Sequence, residues 1–180
     1  MSLRAVCLCV ALTLGLASGD ELTANRRQAV TFHAPELSPV YRGAPSRIEL
    51  QFRVASGFHI NSHQPKQEYL KKTELKLDPP TDIVIEKVTY PQGQEQSFAF
   101  APQEKLSVYS GDFLIGVVVR PLKSVLPASY AVHGKLNYQA CDKAACYPPR
   151  QLPVSFEIKV LKSAAEGKKH NPAQSPHAHT

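Results

Sequence analysis

The sequence of 180 residues has no tryptophan, one methionine and only four cysteines. A true immunoglobulin domain typically has a buried tryptophan in its core, so the absence of tryptophan argues against that type of domain. The lone methionine, Met1, argues against a copper carrier, because such proteins display several thioether ligands. Charged residues make up 20% of the chain and hydrophobic residues 43%. This balance suits one domain with a real core and ragged ends.

Only one long apolar run is present, "AVCLCVALTLGLA" directly after Arg4. It is too short for a membrane span of about 20 residues, and small residues follow it. This pattern predicts a cleaved signal peptide over residues 1–19. We expect a flexible N-terminus over residues 20–28 and an exported mature chain that does not insert into a membrane.

The cysteines divide into two pairs. Cys7 and Cys9 lie in the apolar run and should leave with the signal peptide, whereas Cys141 and Cys146 lie in "NYQACDKAACYPP". Export delivers the remaining pair to an oxidising compartment, where disulfides persist. Four intervening residues allow the two side chains to meet if the chain turns between them. A disulfide is therefore the expected resting state.

The net charge of +6 does not indicate a nucleic-acid partner, because no dense basic stripe with interleaved aromatic residues is present. Residues 162–180, "KSAAEGKKHNPAQSPHAHT", are too polar to form a core and predict a disordered tail. Its histidines allow an alternative in which the tail carries a metal. Those histidines are His170, His177 and His179.

Apolar residues elsewhere alternate with polar ones, which is the periodicity of half-buried strands. The strongest examples are "RIELQFRV", "SYAVHGKLNY" and "QLPVSFEIKV", and in the second Gly134 marks a close neighbour or a bulge. Weaker candidates are "QAVTFHA", "FHINSH", "TELKL", "DIVIEKVTY" and "DFLIGVVV", with one helical turn possible around "KQEYLKK". Seven or eight strands without helical crossovers predict an all-β, immunoglobulin-like antiparallel β-sandwich over residues 29–161.

The Cys141–Cys146 pair has a structural and a functional interpretation. A disulfide closing a six-residue loop stabilises a fold by only about 2 kcal/mol, which favours function over stapling and leaves the structural alternative open. The pair does not match a thioredoxin-type motif, which needs two intervening residues at a helix N-terminus. Two cysteines without a nearby histidine also fall short of a zinc site.

At these residues the sequence resembles the N-terminal periplasmic domain of the transmembrane thiol:disulfide interchange protein DsbD, also found as free-standing disulfide bond corrector domains. The shared stretches are "YQACDKAACYPP", "SGFHINSHQP", "YPQG" and "VYSG", and the resemblance runs from about residue 29 to residue 161. The sequence departs from the best-known branch in having four residues, rather than five, between the cysteines. The membrane and thioredoxin-like domains of full-length DsbD have no counterpart in this sequence, which indicates either a shuttle served by a separate protein or a domain turned to another use.

The resemblance implies a monomeric periplasmic thiol:disulfide oxidoreductase without cofactor or metal. In the family, electrons pass from a membrane-embedded thiol reductase to periplasmic thioredoxin-like proteins through mixed disulfides. By position, Cys146 matches the cysteine that forms the mixed disulfide and Cys141 the one that resolves it. The alternative is an immunoglobulin-like protein-binding module whose disulfide is purely structural.

The resemblance also implies a cap loop that shields the cysteines with a phenylalanine. The matching segment is "GQEQSFAFAPQEK", so Phe98 or Phe100 would form the cap, although the same alternation suits strand residues in a core. His59 and Asn61 are expected to line the site where the best-known branch has aromatic residues. Either His59 or His63 would be placed to accept a proton if it lay near the thiols. The tyrosines that flank the motif, Tyr138 and Tyr147, complete the candidate site.

Overall fold

The computed structural model describes residues 28–162, and every regular element within them is a β-strand. The predicted signal peptide, nearly all of the predicted flexible N-terminus and the histidine-containing tail lie outside these residues. Within residues 28–162 no helix has the length and apolar character to cross a bilayer. The strands are β1 Val30–His33, β2 Ser38–Tyr41, β3 Ser46–Val54, β4 His59–Asn61, β5 Glu74–Asp78, β6 Ile83–Thr89, β7 Gln94–Phe98, β8 Ala101–Tyr109, β9 Asp112–Pro121, β10 Ser129–Tyr138, β11 Ala140–Cys141 and β12 Arg150–Leu161.

Two four-stranded sheets pack face to face. Sheet one has the order β1-β3-β9-β6 and sheet two the order β2-β12-β10-β5. All pairings are antiparallel except that of β2 with β12. Leu50 and Val117 of sheet one share one core with Leu136 and Ile158 of sheet two, and all four are fully buried. The prediction of an all-β, immunoglobulin-like sandwich is confirmed.

The three strongest strand predictions are confirmed as β3, β10 and β12, and each buries every second residue over most of its length. Gly134 interrupts the alternation of β10 because the neighbouring strand β5 lies very close. A Cβ at Gly134 would stand 2.3 Å from the carbonyl oxygen of Lys76. A side chain is therefore excluded here by the neighbouring backbone, as the sequence pattern suggested.

Four strands have no counterpart among the predicted ones. The strand β8 is polar in its first half and buried only from Leu106 to Tyr109, so its sequence does not alternate. The strands β2 and β11 are very short, and β7 is mostly polar. Within "KQEYLKK" the chain makes one hydrogen-bonded turn, from Leu70 N–H to the carbonyl of Gln67 at 3.2 Å, and no helix follows from it.

A third sheet, here called the end sheet, has the order β11-β4-β8-β7. Three of its strands are directly connected to strands of the sandwich. The chain passes from β3 to β4, from β8 to β9 and from β10 to β11. Two of these connections turn at glycines with positive φ, Gly57 and Gly111, a conformation that favours glycine. A small second core lies against the end sheet, formed by Leu70, Leu106 and Val108 with Phe98 packed on it.

We expect Gly134→Ala to lower the free energy of unfolding by about 1–3 kcal/mol, because the added methyl group must displace the β5 backbone. Gly116→Ala on β9 is the matched control. Its Cβ would meet only the mobile end of the Arg47 side chain, which can move aside. Urea unfolding of both variants measures the difference, and equal midpoints would contradict the proposed crowding at Gly134.

Candidate functional site

The two cysteines lie in the loop that connects β10 to β12, the central antiparallel pair of sheet two. After Tyr138 the chain leaves sheet two, and Ala140 and Cys141 pair with β4 at the edge of the end sheet. A disulfide with an S–S distance of 2.02 Å joins Cys141 to Cys146. Cys141 is 0% exposed, whereas Cys146 is exposed. Cys146 is therefore the half of the bridge that faces solvent.

Asp142 organises the loop between the cysteines. Its Oδ1 accepts the backbone N–H groups of Ala144 at 2.8 Å and Ala145 at 2.9 Å, and its Oδ2 accepts the hydroxyl of Tyr147 at 2.5 Å. These hydrogen bonds, led by that of Tyr147, lower the pKa of Asp142 to about 2. The carboxylate is therefore ionised at neutral pH and closes the turn in the manner of an Asx turn.

Gln139 connects this loop to the rest of the end sheet. Its Nε2 donates to the carbonyl of Tyr147 at 3.1 Å, and its Oε1 accepts from Asn61 Nδ2 at 3.2 Å and from the backbone N–H of Lys71 at 3.3 Å. Asn61 Nδ2 also donates to the carbonyl of Lys71 at 3.0 Å. Gln139 was not predicted as a site residue, although it lies inside the shared stretch "YQACDKAACYPP", which was the sequence signal for it.

His59 is the direct cross-strand partner of Cys141. Its side chain is only 3% exposed, its Nε2 has no hydrogen-bond partner, and its ring stacks on Phe98 with the centroids 3.8 Å apart. Burial lowers the pKa of His59 to about 4, against a smaller opposing effect of Asp142. The imidazole is therefore neutral at pH 7, which makes it a weak proton acceptor.

Phe98 is the last residue of β7 and Phe100 lies in the two-residue turn that leads to β8, so the predicted cap segment forms the tip of a hairpin. Their rings stack with the centroids 5.4 Å apart. Phe98 is half-buried against the second core, whereas Phe100 is 37% exposed. Phe100, Tyr69 and Cys146 line one cleft of about 420 Å³. Phe98 therefore contacts His59, the strand partner of the buried Cys141, and Phe100 lines the cleft that contains the exposed Cys146.

The remaining predicted residues take three different places. Tyr147 contacts the loop directly through Asp142, and its ring packs against Phe58 with the centroids 6.0 Å apart. Tyr138 belongs to the main sandwich core and is 4% exposed. His63 lies in a separate cleft, where it stacks on Tyr90 and its Nδ1 contacts the carbonyl of Thr73. The structure therefore does not bring His63 to the cysteines.

Exchange at sulfur is the chemistry that these side chains offer. Cys146 is exposed and Cys141 is buried, and the groups next to the pair include the ionised carboxylate of Asp142 and the neutral imidazole of His59. Across residues 28–162 no three His, Cys, Asp or Glu side chains are grouped in a way that would hold a metal ion. The accessible sulfur can be attacked by, or can attack, a sulfur atom of another molecule.

Comparison with known proteins gives one family match. A family model for the N-terminal region of the thiol:disulfide interchange protein DsbD matches residues 27–157. No curated protein matches the chain.

Several solved structures are similar to this chain. The reduced DsbD N-terminal domain of Neisseria meningitidis is 23% identical, with coverage of 66% of this chain and 80% of that one and a TM-score of 0.36. The same domain in complex with the PilB N-terminal domain is 20% identical, with coverage of 71% and 82% and a TM-score of 0.40. The N-terminal periplasmic domain of ScsB from Proteus mirabilis is 14% identical, with coverage of 80% and 51% and a TM-score of 0.43.

The buried His59 predicts a specific dependence of stability on pH. Between pH 6.5 and about 4 the unfolded chain binds a proton at this residue and the folded domain does not, so the free energy of unfolding should fall as the pH is lowered through this window. His59→Phe keeps a ring against Phe98 and should lose less stability than the parent between pH 7 and pH 4.5. Chemical unfolding at both pH values measures this difference. An unchanged loss in His59→Phe, or an equal effect of His133→Phe at an exposed site, would contradict the assignment.

Proposed function

The chain belongs to the family of N-terminal domains of the thiol:disulfide interchange protein DsbD, and from this we propose that it relays two electrons through the Cys141–Cys146 pair. The donor is a membrane-embedded thiol reductase, and the acceptors are periplasmic thioredoxin-like proteins. We also propose a periplasmic location, where the family acts and to which the predicted signal peptide would deliver the chain.

The unequal burial of the two sulfur-bearing residues carries this proposal. Exchange between two proteins needs one sulfur that an incoming thiol or disulfide can reach and a second that stays close enough to displace the partner. Cys146 is exposed, and Cys141 is buried behind it while bonded to it. This arrangement supports Cys146 as the residue that forms the mixed disulfide and Cys141 as the resolving residue.

The proposed reaction conserves atoms and electrons. In the reduced domain, Cys146 loses its proton, and its sulfur attacks one sulfur of the acceptor's disulfide, which forms a mixed disulfide and releases one acceptor thiolate that takes up a proton. Cys141 then loses its proton and attacks Cys146, which restores the bridge and releases the second acceptor thiolate. Two electrons and two protons have passed to the acceptor, and the membrane reductase recharges the domain by the reverse sequence.

We further propose that the tip of the β7–β8 hairpin caps the pair. Phe98 covers His59, the strand partner of Cys141, and Phe100 lines the cleft that contains Cys146. In an oxidising compartment, an uncovered dithiol loses its electrons to unspecific acceptors. The two aromatic rings narrow the approach to the pair, and a partner that displaces the hairpin tip gains fuller access.

Trapping experiments test which sulfur reacts. The probe is a thioredoxin variant whose single active-site cysteine carries a thionitrobenzoate group. Reduced Cys141→Ser should release the coloured thionitrobenzoate and form a stable mixed disulfide, because Cys146 is accessible and nothing resolves the product. Cys146→Ser should react at least roughly tenfold more slowly, because Cys141 is buried.

The parent domain is the reference for this experiment, and it should react with the probe and then release the reduced thioredoxin variant. Two results would contradict the proposal. A faster reaction of Cys146→Ser would reverse the two roles. A parent bridge that stays closed against reduced thioredoxin, with a potential below roughly −300 mV, would instead support the binding module with a structural disulfide.

The cap predicts different effects of two truncations. In the reduced domain, Phe100→Ala should increase the rate of iodoacetamide alkylation at Cys146 several-fold, because it opens the shared cleft. Phe98→Ala should mainly increase alkylation at Cys141, because it uncovers the β4–β11 edge. Mass spectrometry of the two modified sites distinguishes these outcomes. Leu126→Ala, at another exposed apolar side chain, is the control, and equal rates in all three variants would argue against a cap.

A further inference from the structure

We propose that Asp142 is a positioning residue that lowers the reduction potential of the cysteine pair, by holding the loop in its bridged conformation and by opposing formation of the Cys146 thiolate. This inference deepens the proposed function, since it rests on a pair that opens and closes reversibly. It assigns a role to the carboxylate that lies between the two sulfur-bearing residues.

The hydrogen bonds of Asp142 cover nearly the whole loop. Its Oδ1 binds the N–H groups of Ala144 and Ala145, the two residues directly before Cys146, and its Oδ2 binds the hydroxyl of Tyr147 directly after it. The backbone of Asp142 adds a fourth link, since its N–H donates to the carbonyl of Ala145 at 2.9 Å. One side chain therefore fixes the chain on both sides of the exposed cysteine.

Gln139 extends this restraint to the end sheet. It binds the carbonyl of Tyr147 on one side and Asn61 of β4 on the other. The Tyr147 N–H also donates to the carbonyl of Ala140 at 2.8 Å, so the segment that follows Cys146 is tied to the strand that carries Cys141. None of these hydrogen bonds involves a sulfur atom, so opening the bridge removes no donor or acceptor from this network.

A loop that is ordered without the bridge favours the disulfide. A flexible dithiol loses conformational freedom when its bridge closes, and this loss opposes oxidation. A dithiol whose sulfur atoms are already held close together loses less conformational freedom on oxidation. Its equilibrium with glutathione therefore lies further toward the disulfide. The restraint imposed by Asp142 therefore lowers the reduction potential.

The charge of Asp142 acts in the same direction. The carboxylate stays ionised at neutral pH because its pKa is lowered to about 2. His59, on the neighbouring strand β4, is neutral at that pH and does not offset this charge. The ammonium group of Lys143 in the loop is solvent-exposed, so water and salt screen its effect. A nearby negative charge disfavours a thiolate. Because a thiolate favours the reduced state where it is populated, a carboxylate that disfavours it lowers the potential further as the pH approaches the pKa of the thiol.

Two variants separate the charge from the hydrogen bonds. Asp142→Asn removes the charge and weakens the loop, so it should shift the equilibrium with glutathione toward the dithiol by at least about tenfold, which corresponds to about 30 mV for two electrons. It should also lower the pH midpoint of Cys146 alkylation. Tyr147→Phe keeps the charge and removes one hydrogen bond, so it should shift the equilibrium by at least about threefold, or about 14 mV, without lowering that midpoint.

Glu86→Gln is the matched control, because this carboxylate pairs with Arg120 on sheet one. It should leave both measurements unchanged. Asp142→Asn values within about twofold of the parent would overturn the proposal, as would a shift of equal size in Glu86→Gln. If Asp142→Asn does not fold, Tyr147→Phe decides, and an unchanged equilibrium in that variant overturns the proposal. Failure of the parent domain to exchange with thioredoxin contradicts only the proposed function, because the glutathione equilibrium is measured separately.

Discussion

Two backbone pairs, Ala140 with Ile60 and Cys141 with His59, attach the cysteine loop to the end sheet. Pairing with β4 is what buries Cys141, because the residue becomes part of a strand covered by neighbouring structure. The loop then returns from β11 toward β12, and Cys146 remains outside on the solvent side. The difference in exposure between the two sulfur-bearing residues therefore follows from a strand of only two residues.

The electrostatics around the bridge differ from those of a thioredoxin-type site. There, a helix N-terminus stabilises the thiolate and activates it. Here the described residues form no helix, the loop contains an ionised carboxylate, and the buried histidine is neutral. None of these groups activates a thiolate, so the exposure of Cys146 and the conformation of the loop are the features that distinguish the two cysteines. The hydrogen bonds of Asp142 order the loop, and the exposure of Cys146 leaves it open to a partner.

The fold makes little demand on the bridge itself. The main core joins both sheets of the sandwich through fully buried residues such as Phe52 and Val117, and neither cysteine belongs to it. A disulfide that closes so short a loop adds only about 2 kcal/mol by constraining the unfolded chain. The domain can therefore open this bridge while its sandwich stays intact, which a bridge between the two sheets would not allow as readily.

The amino-acid sequence alone determined the all-β class, the positions of β3, β10 and β12, the crowding at Gly134 and the proximity of the two cysteines. These features depend on alternation or on spacing within a few residues, so local patterns are enough to predict them. Only the tertiary structure decided that Cys141 is buried and Cys146 exposed, that His59 pairs with Cys141, that Gln139 joins the loop to β4, and that His63 lies elsewhere. Each of these depends on contacts between segments far apart in the chain. Such contacts arise from the way the strands assemble into sheets. The strands β4 and β11, which make several of them, have only three and two residues, too few to leave an alternating pattern.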